Sequence, residues 1–143
     1  MYIPGLNIKL TAPYGLAILR IVLGIAMAVH GWGKLSGGVD GVAGFFGSLG
    51  IPVPSLTAWL VTIIELVGGI LLIVGAATQI SSLLIALVML GAIVFARISG
   101  PFIENGAITW EKEAVFMAAA ICLFLSGPGA WSVDDVVIDT RRG

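Results

Sequence analysis

Glu65 lies in Leu56–Val74, a stretch that is otherwise apolar or small and uncharged. A carboxylate at that depth in hydrocarbon is costly unless it is paired, protonated or facing a polar cavity. It can therefore pin two helices by an ion pair, or move protons for a bound ligand. Arg20 is the candidate partner. It lies about seven residues into the first apolar stretch, roughly 10 Å from its start. Glu65 lies about ten residues into the second, roughly 15 Å from the opposite face. Antiparallel helices would bring both near mid-membrane, so an Arg20–Glu65 ion pair is the economical expectation. The plainer alternative is that the pair only fixes helix register.

Further titratable groups gather where the helices end opposite the termini. His30 and Lys34 leave the first helix there, Arg97 leaves the third, and Glu111 and Glu113 enter the fourth. His30 titrates near neutral pH and can donate to a ligand carbonyl oxygen. Together these groups could form a polar mouth above an apolar bundle. Ordinary snorkelling explains Lys34, Lys112 and Glu113 without any function. His30 and Glu111 must sit closer to hydrocarbon.

The elements that would position these groups follow from composition. The chain has 143 residues, 59% of them hydrophobic and 10% charged. Soluble domains carry roughly 25% charged residues, so the natural solvent is a membrane. Four apolar stretches approach the roughly 20 residues needed to span. The expected fold is all-α, a four-transmembrane-helix bundle in a single membrane domain over 1–143. Helices are expected at about 13–34, 55–76, 78–97 and 110–126, with Thr11 capping the first. The glycine-rich first loop reads as partly helical or re-entrant, with Asp40 as a cap. The link around Ala76–Gln79 makes the second and third helices antiparallel neighbours. The tail 130–143 is polar and expected to be solvated. Arg20, Gly24, Met27, Gly31 and Lys34 recur at helical spacing on one face of the first helix. Thr62, Glu65, Gly68 and Gly69 share a face of the second, and the paired glycines suit close packing.

Other chemistries are excluded. A net charge of −1 without a basic run disfavours nucleic acid. One cysteine, Cys122, and one histidine cannot build a protein-only zinc or iron–sulfur site. Cys122 has no activating neighbour and reads as an inert thiol. No secretory signal stands out before the first apolar stretch. Four spans place both termini on one side, and the lysine and arginine count weakly favours the cytoplasm.

The order and spacing of several short motifs resemble the DoxX family of small four-helix membrane proteins, over about Tyr14–Asp134. They are Leu19-Arg20-Ile21, His30-Gly31-Trp32-Gly33-Lys34, Glu65-Leu66-Val67-Gly68-Gly69, Gly75-Ala76-Ala77-Thr78, Trp110-Glu111 and Gly127-Pro128-Gly129-Ala130-Trp131. The resemblance implies site positions at Arg20, His30, Glu65 and Glu111, with Glu113 the fallback for the last. Gly31, Lys34, Gly68, Gly69 and Arg97 would support them. Arg97 is a departure, since the family pattern leads us to expect histidine there.

The resemblance further implies an oxidoreductase subunit of the cell (inner) membrane, linked to quinone or to thiol and sulfur oxidation. In that reading Arg20 and His30 hold carbonyl oxygens of a quinone, and a partner subunit of a redox complex brings the electrons. No metal or covalent cofactor is expected. The alternative is a non-enzymatic membrane scaffold or assembly factor for a partner protein. A transporter is a third reading, in which four short helices leave room for a pathway only in a homo-oligomer.

Overall fold

The computed structural model describes residues 2–3, 6–9 and 12–142. Helix α1 spans Ala12–Gly37, α2 Val39–Ser48, α3 Pro54–Val74 and α4 Thr78–Gly91. A π-helical segment, Ala92–Arg97, continues α4. Helix α5 spans Glu111–Ser126 and α6 Val133–Arg142. Two small antiparallel hairpins complete the order, β1 (Tyr2–Ile3) with β2 (Leu6–Lys9) and β3 (Ile103–Glu104) with β4 (Ala107–Ile108). The fold is all-α in its body. Helices α1, α3 and α4 with its extension are long and apolar enough to cross a membrane. Helix α5 has 16 residues, about 24 Å at 1.5 Å per residue, and closes a four-helix bundle.

The bundle turns its apolar side chains both ways, as a lipid solvent demands. Ile18, Val22, Ile25 and Val29 of α1 are exposed, as are Leu60, Ile63, Val67 and Ile70 of α3. The core is small. Leu23, Met27, Leu72, Ile85, Met89 and Leu123 form its centre. In lipid there is no hydrophobic drive between helices, so close packing through small residues takes over. Here α1 packs mainly on α3, and α4 on α5. A Cβ on Gly24 would meet the Gly69 carbonyl oxygen at 2.7 Å, and one on Gly31 would strike the Leu66 backbone. Gly69 meets Ala28 in the same way. Gly68 faces the other neighbour, where Ile85 Cδ1 at 3.5 Å is an ordinary contact. The paired glycines therefore serve two different helices.

Helix ends follow local chemistry. Pro54 sits in the first turn of α3. Gly75 ends that helix at φ 73°, with Ala76 N–H bonded to Leu71 O at 2.9 Å and Gly75 N–H to Leu72 O at 3.2 Å. That is a Schellman closure, for which glycine is the natural residue. The helix α4 start has no local side-chain cap. Asp134 supplies one from the far end of the chain, accepting from Ala77 N at 2.8 Å and Thr78 N at 2.9 Å.

Three expectations change. The first loop is partly helical as expected, holding α2, but Gly38 takes the cap position and Asp40 lies in the first turn. Helix α1 runs on to Gly37, which moves Lys34 inside it. The tail, expected to be solvated, is exposed at Val133, Asp135, Val136 and Val137 but folds as α6 and is anchored by Asp134. The Thr11 cap lies outside the described residues.

Candidate functional site

The expected Arg20–Glu65 pair does not form. Gly31 lies against Leu66 and Gly69 against Ala28, which fixes the register of α1 on α3. Eleven residues separate Arg20 from Gly31, so about 16 Å of helix separates Arg20 from the level of Glu65. Depth counted inward from each helix start overlooked the extra length of α1 and the stagger between the helices.

Each group has another partner. Lys34 donates to Glu65 Oε2 in a close ion pair, with Glu65 buried and Lys34 half-buried. Arg20 is fully buried and reaches the far end of the chain. Its Nη1 donates to Pro128 O at 2.6 Å and its Nη2 to Trp131 O at 2.8 Å. Around it, Ala130 N donates to Pro13 O at 2.9 Å and Asp134 N to Gly75 O at 2.9 Å. Tyr14 and Trp131 stack at 5.1 Å. A Cβ on Gly75 would meet Arg20 Nη1 at 2.7 Å and Ser132 Cβ at 2.6 Å. The motifs around Gly75 and Gly127–Asp134 thus build one fastening that ties α1, α3, α4 and α6 together. It is a packed knot, distinct from any cavity.

The cavity lies at the other end of the bundle. It has a volume of about 490 Å³ and opens between α1, α2, α3, α4 with its π segment, and α5. Its walls are mostly apolar, among them Met27, Phe46, Ile64, Val88, Phe95 and Phe116. Its charged and imidazole groups are His30, Lys34, Glu65, Arg97, Lys112 and Glu113. Glu113 is buried and accepts from Arg97 Nε at 3.4 Å through Oε1, with Lys112 Nζ at 3.8 Å. Its Oε2 is buried with no hydrogen-bond partner. His30 Nδ1 donates to Ala26 O at 2.7 Å, and its ring meets Phe116 edge-on at 6.0 Å. With Nδ1 carrying the proton, Nε2 of the neutral ring is an acceptor. A second, more open cleft of about 650 Å³ flanks His30 and Lys34 on the side of Gly37 and Gly41.

Of the four principal candidates, His30 and Glu65 line the cavity; Arg20 and Glu111 do not. Glu111 is exposed. Glu113, two residues on, faces inward because two helical steps of 100° turn a side chain to the opposite face. The supporting residues divide as well. Lys34 and Arg97 line the cavity, while Gly31, Gly68 and Gly69 set the helix spacing. Lys112 completes the charge cluster, and only its place beside Glu113 in the sequence could have flagged it. Among the described residues, no three His, Cys, Asp and Glu side chains gather to hold a metal.

The chain is similar to several bacterial membrane proteins. The family model described as DoxX matches residues 15–98. The Bacillus subtilis protein named "Putative oxidoreductase CatD" is 35% identical over 128 residues, covering 90% of each chain. The Escherichia coli "Inner membrane protein YphA" is 29% identical over 126 residues, 85% of this chain and 89% of that one. The Mycobacterium tuberculosis "Uncharacterized membrane protein Rv3486" is 27% identical over 131 residues, 85% of this chain and 80% of its own. No solved structure gives a significant match.

Proposed function

Because this chain belongs to the DoxX family, we propose that it is a membrane oxidoreductase subunit whose cavity binds a lipophilic aromatic redox carrier of the quinone class. The observation that carries this reading is the composition of the 490 Å³ cavity, apolar over most of its wall with a few polar groups among its lining. Sites for small organic ligands have this character and fall in this size range. Phe46, Phe95 and Phe116 offer ring faces to an aromatic headgroup. The orphaned Glu113 Oε2 fits a ligand that carries oxygen functions.

Within this reading the residues have distinct tasks. Glu113 and His30 meet the carrier's oxygens, while Arg97 and Lys112 pair with the other oxygen of the Glu113 carboxylate. The Lys34–Glu65 pair closes one wall. A quinone accepts two electrons and two protons; the electrons come from a partner redox subunit, since the chain itself offers no electron carrier. The name of one similar protein, an oxidoreductase, supports the reaction class. The name of another, an inner membrane protein, supports that location. Both termini are assigned to the cytoplasmic face, which reporter fusions at Gly143 check.

Native mass spectrometry of the detergent-purified protein tests the binding. A retained quinone, lost when Ala96→Phe fills the cavity and kept when Ile98→Phe alters the exposed neighbour, is the expected result. Retention that ignores Ala96→Phe would sink the reading, as would a protein that keeps no carrier and takes none up from quinone-loaded vesicles.

A further inference from the structure

We propose that the cavity selects the reduced, hydroxyl-bearing form of its carrier, with Glu113 as the residue that accepts from it. The inference rests on the carrier-binding reading above and goes beyond it by naming the form that is held. Two observations point the same way. The Glu113 side chain is more than nine-tenths buried and lines the cavity, and its Oε2 lacks a partner among the described residues. The other oxygen is paired with Arg97 and Lys112. An ionised carboxylate can only accept hydrogen bonds. Across the same cavity His30 has spent its Nδ1 proton on Ala26 O, which leaves Nε2 of the neutral ring as a second acceptor. His30 packs on Phe116, one helical turn from Glu113.

Two acceptors carried by residues that line an apolar space match a ring that carries two hydroxyl donors. A quinone carbonyl set against the same carboxylate would bring acceptor to acceptor and leave both unpaired. A lost hydrogen bond to a charged group in a buried site corresponds to about a tenfold or larger difference in affinity. Lys34 and Arg97 each give a donor to a carboxylate, Glu65 and Glu113 respectively, whereas Glu113 Oε2 receives none among the described residues, so the preference is set at that oxygen. Tighter binding of the two-electron-reduced form also raises the midpoint potential of the bound carrier, by about 30 mV for each tenfold in affinity.

The test measures anaerobic equilibrium binding of duroquinone, durohydroquinone and durohydroquinone dimethyl ether to the full-length protein in nanodiscs. The Ala96→Phe protein supplies the background for partition into lipid. Durohydroquinone is expected to bind about tenfold tighter than duroquinone, and the dimethyl ether, which lacks the O–H donors, no better than the quinone. Glu113→Gln, whose amide both donates and accepts, should bring the ratio of hydroquinone to quinone affinity close to one. Glu111→Gln, outside the cavity, should leave it unchanged. Equal binding of the two oxidation states would overturn the proposal while sparing the carrier site, and so would a preference retained by the dimethyl ether or by Glu113→Gln. Failure of all three rings to bind above background removes the carrier site itself, and this proposal with it. The ligand series on the unmutated protein decides the matter even where a Glu113 variant does not fold.

Discussion

Lys34 and Glu65 form an ion pair across the α1–α3 interface, one turn beyond the point where Gly31 rests on the Leu66 backbone. The glycine contact and the ion pair therefore set one register by two different means, steric and electrostatic. Removing one partner strands the other. Lys34→Met is expected to lower stability by about 3 kcal/mol, because a buried carboxylate loses its counter-charge. Adding Glu65→Leu to that variant should restore most of the loss. Thermal unfolding in detergent, arranged as a double-mutant cycle, checks both statements.

Arg20 holds two backbone carbonyls of the segment after α5. Arg20→Met should free that segment, increase proteolysis between Gly127 and Ser132, and cost about 3 kcal/mol by leaving the Pro128 and Trp131 carbonyls short of a charged donor. Exchanging the charges, Arg20→Glu with Glu65→Arg, should make matters worse rather than better, since the two groups sit about 16 Å apart along the helix. A rescued double variant would contradict the register described here.

The adjacent glycines of α3 should respond in opposite ways. Gly69→Ala forces a methyl into the backbone of α1 and is expected to cost at least about 2 kcal/mol. Gly68→Ala meets only ordinary contact and gains helix propensity of up to about 1 kcal/mol. Unfolding midpoints of the two single variants, measured side by side, decide this.

Asp134 caps α4 from a distance. Asp134→Ala should cost about 1 kcal/mol and speed hydrogen exchange at the Ala77 and Thr78 amides before any other part of α4. Uniform protection along α4 in this variant would show that the cap is idle.

The spanning helices were readable because apolar length is a one-dimensional property. So was the inward face of α1, where Gly24, Met27 and Gly31 recur at helical spacing and are buried. The partners of the buried charges were not readable. Their pairing depends on the stagger between α1 and α3, and stagger is set by which glycine meets which backbone atom. The same gap explains Glu111. Only the start of α5 at Glu111, seen in the fold, shows that Glu113 turns inward. The tail misled for a different reason. Its polar composition suits solvent, yet Asp134 finds unpaired amides of a helix that begins 56 residues earlier in the chain.

The π segment Ala92–Arg97 carries one more residue per turn than the helix it extends, closed by Ile98 N–H to Ile93 O at 2.8 Å. One residue corresponds to about 100° of rotation. Rewound as a regular helix, the same stretch would swing Arg97 away from Glu113 by that angle. The phase of the whole charge cluster thus hangs on a single surplus amino acid. Deleting one residue between Ala92 and Ala96 would leave the hydropathy profile nearly untouched and dismantle the cluster.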